Sequence, residues 1–289
     1  MARRHDGMEY LQCYYVGGVA FDRNQQKVIV TADKADIHYI ELNAPRWRTE
    51  KTIKRRAELK EQGILASEIV VQPGTDNLLA CSRDFSHIQS FDYLGNATHI
   101  VGDEASDIDN PQRIDPQGID CKPDGSFVVT NELKPILQMF DPAGRPVRKV
   151  DLQNSPEANS VRCMDRQHAP SASATFLLAG MNYHGRITVI DESGKQEIGR
   201  VEVNKMIHGM CIDMNGYIYV SHSHRAADDY GICVLDPRRN YCRVQSVLKS
   251  QVYRLWEPRH LCVNDVNDLV SIELSEDRNE TFYYMHVYT

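Results

Sequence analysis

Gln117–Asp141 reads QGIDCKPDGSFVVTNELKPILQMFD. A short apolar strand runs into the turn Pro123-Asp124-Gly125, a second strand follows, then a polar loop and a third strand that ends in Asp141. The same order recurs at His208–Asp236, which begins HGMCIDMNGYIYVSHSH and ends GICVLD. Weaker copies start at Gly17 (GGVAFDRNQQKVIVTADKADIHYIEL), Ser67 (SEIVVQPGTDNLLACSRDFSHIQSFD), Asn159 and Arg259. The first apolar residue of each copy is Val19, Ile69, Ile119, Val161, Met210 and Leu261, at spacings of 50, 50, 42, 49 and 51 residues. Such a period suits one four-stranded β-sheet per repeat.

Six periods use the whole chain, so the expected fold is all-β: a single six-bladed β-propeller over residues 1–289. The last repeat supplies only three strands. Met8–Tyr15 (MEYLQCYY) precedes the first repeat as a strand without a sheet of its own, and is expected to join the last blade and close the ring. An open ring would leave adhesive strand edges. Only Ala57–Glu61 has a composition that suits a helix.

Hydrophobic residues make up 42% and charged residues 25%, enough apolar side chain for a real core. No apolar run reaches the roughly 20 residues of a membrane span, so no membrane role is expected. Met1–Asp6 is charged and no apolar stretch follows it, which argues against a secretory leader. None of the eight cysteines forms a CxxC pair, and Cys121, Cys163, Cys211 and Cys262 lie in apolar strands. Reduced thiols and a cytoplasmic location are therefore expected. The formal charge of −7 disfavours a generic nucleic-acid binder.

The repeat, a hydrophobic strand ending in Asp, a Gly turn and an I-x-x-F-D strand, resembles the NHL repeat. Gln117–Asp141 and His208–Asp236 carry it best, and the tail TFYYMHVYT is similar to the end of the NHL domain in TRIM-NHL proteins. This resemblance implies a propeller that recruits protein partners or RNA, in a parent that can be a RING-type E3 ubiquitin ligase. The NHL repeat often places Arg just before the third strand. Here only Arg186 does so, the equivalents being Asp36, His87, Pro135 and Gly231.

Recognition is expected in the loops between second and third strands, which a rigid scaffold displays. These are residues 32–36, 82–87, 131–135, 180–186, 222–231 and 275–281, and they carry six basic and nine acidic side chains, a net of −3. A phosphate-gripping face should be positive, so protein partners are expected first and single-stranded RNA second. The expected partner-binding residues are Arg83, Phe85, Gln117, Lys134, Asn159, Asn182, Tyr183, Arg186, His208, Arg225 and Arg259. Basic outer strands around Arg46–Arg56 and Arg145–Lys149, with Arg238-Arg239, read as edge protection.

Catalysis is not expected. Neither GxSxG nor GxxxxGK[ST] occurs. Just ahead of the first strands stand Gly17, Ser67, Gln117, Asn159, His208 and Arg259, among which His208, with the nearby His260, falls short of a zinc set. No acid is present there for calcium. No cofactor, metal or small-molecule substrate is expected.

Overall fold

The computed structural model describes residues 5–11, 16–32, 36–41, 48–53, 66–75, 77–82, 87–101, 114–131, 134–152, 160–164, 174–180, 185–191, 197–203, 205–224, 229–236, 238, 242–249, 257–277 and 280–288. Among these residues it holds 24 strands in six four-stranded sheets, whose described pairings are antiparallel. An N-terminal strand β1 (His5–Leu11) stands apart in sequence from the sheet it joins. The first sheet is β2 (Val16–Asp22), β3 (Lys27–Ala32), β4 (Asp36–Glu41) and β5 (Arg48–Ile53). The second is β6 (Ala66–Val71), β7 (Leu78–Ser82), β8 (His87–Phe91) and β9 (Ala97–Val101), and the third β10 (Pro116–Cys121), β11 (Phe127–Asn131), β12 (Ile136–Phe140) and β13 (Pro146–Asp151). The fourth is β14 (Ser160–Cys163), β15 (Ala174–Gly180), β16 (Arg186–Asp191) and β17 (Glu197–Glu202). The fifth is β18 (Met206–Ile212), β19 (Ile218–His224), β20 (Asp229–Asp236) and β21 (Cys242–Lys249). The sixth runs in the order β1, β24 (Glu280–Tyr288), β23 (Leu269–Asp277), β22 (Glu257–Val263). The N-terminal strand thus completes the sheet made by the last three, though it begins at His5 and not Met8; residues 12–15 lie outside the described set. So does the helix expected at Ala57–Glu61.

Two compact units divide the chain, Tyr15–Val161 and Arg162–Thr289 with Met1–Tyr14. In the unit Tyr15–Val161, apolar faces of neighbouring sheets pack together. Ile29, Tyr39, Ile69, Leu78 and Phe91 form one layer, and Leu79, Ile88, Ile119, Phe127, Val129 and Phe140 the next. Both faces of these sheets are covered, so β8 and β11 are buried at every position, the polar His87, Gln89 and Ser90 included. In the other unit, Ile187, Val189, Ile207, Met210 and Val220 form one layer, and Tyr219, Ile232, Leu261, Leu269 and Tyr288 another. Among the described residues, Cys81, Cys121, Cys163, Cys211, Cys233 and Cys262 take part in no disulfide. Burial pushes Cys262 up to about 12, which keeps it an unreactive thiol.

The aspartate that closes so many strands has a local task. Asp92 Oδ1 accepts the N–H groups of Leu94 and Asn96, Asp141 Oδ1 those of Ala143 and Arg145, and Asp213 Oδ1 those of Asn215 and Tyr217. A carboxylate that reaches two and four residues on holds the turn without help from the sheet. Asn264 does the same for Val266 and Asp268. The repeat's acidic signature is a turn former. Neighbouring sheets are tied as well: Gln72 Nε2 donates to the carbonyls of Gly125 (2.9 Å) and Pro142 (2.8 Å).

Candidate functional site

Of the residues singled out by sequence, the structure brings two into one cluster, His208 and Arg259. His208 sits on β18 and Arg259 on β22, first strands of successive sheets. Their backbones come unusually close because Gly209 has no side chain, and a Cβ there would lie 2.7 Å from the Arg259 carbonyl oxygen. Arg259 Nη1 lies 3.3 Å from His208 Nδ1 and Nη2 donates to Glu257 Oε2 at 2.8 Å. His208 Nε2 lies 2.9 Å from Glu257 Oε1 and 2.7 Å from Ser223 Oγ, at the end of β19.

A guanidinium only donates, so Nδ1 must accept and the neutral ring carries its proton on Nε2, a tautomer assigned from these contacts. That proton faces Glu257 and Ser223. Both ring nitrogens are engaged, and no open lone pair meets the serine oxygen, so the quartet lacks the geometry that activates a serine nucleophile. What it presents instead is a braced cation. The Arg259 side chain is 33% exposed, against 18% for Glu257 and 2% for His208.

Burial, helped by the Arg259 charge, holds His208 below its ordinary range against the opposing pull of Glu257. Burial alone would raise Glu257, but its bond to His208 and the Arg259 charge outweigh this and keep it below the usual carboxylate value. A histidine with a depressed folded pKa binds its proton more readily when unfolded. Its stabilising contribution is complete above about pH 6.5 and is lost as pH falls from there towards the folded value. Denaturant melts from pH 7.5 to 5.0 should therefore show stability falling below about pH 6.5, with a shallower fall in His208→Asn. Identical slopes in the two proteins would contradict the assignment.

The other expected residues are placed as follows. Gln117 lies within β10 and is buried, 7% exposed. Lys134 is exposed beside the turn in which its N–H bonds Asn131 Oδ1. Arg186 opens β16 and is half-buried. Arg83, Phe85, Asn159, Asn182, Tyr183 and Arg225 lie outside the described residues. Two recognition loops are shorter than expected, since β19 and β20 pair out to His224↔Asp229, and β23 and β24 to Asp277↔Glu280. Glu257 and Ser223 were not foreseen. The sequence signal for Glu257 is its spacing of two from Arg259, which puts both side chains on one face of a strand. Among the described residues no three His, Cys, Asp or Glu side chains converge as metal ligands would, and no helix is long and apolar enough to cross a membrane.

A scan against protein-family models returns no match, nor does a comparison with curated protein sequences. Solved structures do match. The WD40 β-propeller domain of Doa1 superposes with a TM-score of 0.61 at 10% identity, over 95% of this chain and 79% of that one. A streptogramin B lyase gives 0.60 at 11% identity over 99% of both chains. The Pan2 WD40 domain of Neurospora crassa gives 0.58 at 9% identity, over 94% of this chain and 88% of that one. At such identities the likeness is one of fold alone: the chain is an all-β protein with a β-propeller fold, built from antiparallel four-stranded sheets.

Proposed function

We propose that this chain is a protein-interaction module, an NHL-type propeller that brings substrates or assembly partners to a TRIM-type E3 ubiquitin ligase or scaffold in the cytoplasm. In this reading residues 1–289 form one six-bladed domain, with β1 closing the ring through its pairing with β24. The observation that carries the binding role is the braced Arg259: a one-third exposed guanidinium held by Glu257 and His208. Rigid arginines of this kind anchor protein interfaces. The acidic balance of the recognition loops supports a protein partner over single-stranded RNA.

The test is capture with the purified protein as bait, followed by reconstitution of each captured partner from pure components. Reconstituted binding is expected to fall about thirtyfold, or roughly 2 kcal/mol, in a Tyr183→Ala, Arg186→Ala double variant that melts normally. Retention by that variant, with loss when Lys54, Arg55 and Arg56 are neutralised, would move the docking surface to the outer strand of the first sheet. A selection from random RNA that returned one motif bound at nanomolar strength would replace the protein reading with RNA recognition.

A further inference from the structure

We infer that the turns β18–β19 (residues 213–217) and β22–β23 (residues 264–268) form a docking surface for a partner segment that sets an apolar side chain beside basic ones. Both turns belong to the unit that holds Arg162–Thr289, at the opposite end of their sheets from the recognition loops. The described turns between first and second strands are led by Asp22, Gln72, Lys122, Asp213 and Asn264. Two places further on stand Asn24, Gly74, Asp124 and Asn215, residues that turns favour, but in the last turn Val266. Val266 is 69% exposed, and Met214 in the neighbouring turn 47%. A stiff β-branched side chain adds nothing to a turn and gains nothing from water. Such a break of a local rule without a local gain marks a surface kept for another purpose.

The two turns are also fixed to each other. The Met214 N–H donates to Asn267 Oδ1 at 3.0 Å, and Asn267 holds φ +67°, a left-handed conformation uncommon outside glycine. Side chains displayed on so rigid a base have little freedom left to lose on binding. Charge then selects the partner. The two turns carry three carboxylates, Asp213, Asp265 and Asp268, and no cation. Asp213 is buried, which leaves half-buried Asp265 and Asp268 on either side of Val266. Arg238, stacked over the Tyr217 ring at 4.9 Å, is paired with Asp236 and brings its own counter-charge. An apolar pair flanked by acids suits a segment with Lys or Arg beside its apolar residue and repels an acidic one.

A random library of synthetic peptides with both ends capped tests this, selected in parallel on the wild-type protein and on a Met214→Ser, Val266→Asn double variant. The variant puts favoured turn residues in both places, so it should melt at or above the wild-type temperature. Where it melts abnormally, Val266→Thr takes its place, since it keeps the branched shape and adds a hydroxyl. Peptides taken by the wild type and refused by the variant are expected to share one large apolar residue with Lys or Arg close by in sequence. Such a peptide should bind the variant about tenfold more weakly. Its affinity for the wild type should fall as salt rises. Asp268→Asn should flatten that dependence, because its amide oxygen still accepts from Asn264 Nδ2 but the charge is gone.

Peptides held equally by both proteins, or no enrichment at all, overturn the surface and leave the role of the recognition loops to its own test. Enriched peptides without a basic residue, or a salt dependence that Asp268→Asn does not change, overturn the choice of partner. Sedimentation velocity covers the other occupant. The wild type is expected to stay monomeric, and self-association that the double variant loses would make the occupant a second copy of this chain.

Discussion

Deletion of residues 5–11 is expected to abolish the sharp cooperative melt of this protein and to leave it aggregating on expression. β1 pairs with β24 from His5↔Tyr288 to Leu11↔Tyr283, so its removal strips one whole side of the ladder from the last strand. β24 is nine residues long, and Tyr283, Met285, Val287 and Tyr288 within it are buried. Left as an edge, it becomes a long apolar strand with unpaired backbone groups, the feature that natural sheets avoid. Each lost backbone hydrogen bond costs about 0.5–1.5 kcal/mol net, and several such losses rival a total stability on the order of 5–15 kcal/mol. The check is calorimetry and size-exclusion chromatography of the truncated protein. A deletion variant that melts as sharply, at the same temperature and as a monomer, would show that β1 adds nothing essential to its sheet.

Gly185→Ala should be strongly destabilising. Gly185 has φ +53°, and a Cβ there would lie 1.7 Å from the Lys205 carbonyl oxygen and 2.8 Å from its carbon. The residue cannot retreat, because its own carbonyl accepts the N–H of Val203 at 2.7 Å. Two penalties combine: about 1–2 kcal/mol for a side chain in the left-handed region and about 1–3 kcal/mol for the overlap. At a combined loss of about 2–5 kcal/mol, melting should fall by roughly 3–8 °C. Gly74→Ala supplies the control. Gly74 has φ +76° but no atom within 4 Å of the added methyl, so it should show the conformational penalty alone. Equal losses in the two variants would mean that the contact with Lys205 is not the source.

Most of the fold was legible because its signals are local. Apolar runs such as Phe127-Val128-Val129 marked strands, and the Pro-Asp-Gly turn at 123–125 marked a hairpin that the structure contains. Hairpin tips were less legible. His222-Ser223-His224 reads as polar loop, yet Ser223 pairs with Tyr230 and His224 with Asp229. Backbone pairing at a tip needs no apolar side chain, so composition does not mark it. Glu257 was hidden for a related reason. Pro258 resembles a link between repeats, but β22 begins before it, with Pro258 opposite Glu273 and a bulge before His260 that absorbs the missing donor.

The sequence by itself determined an all-β chain of repeated strands, because strand patterning and Asx turns act over a few residues. It also marked His208 and Arg259 as equivalent positions of successive repeats. Only the tertiary structure decided that they meet. His208 and Arg259 are 51 residues apart, and their contact depends on two strands brought close at Gly209. The same closeness brings in Glu257 and Ser223, turns the imidazole into an acceptor for the guanidinium and braces one cation. No local pattern encodes that step, since it follows from how neighbouring sheets pack.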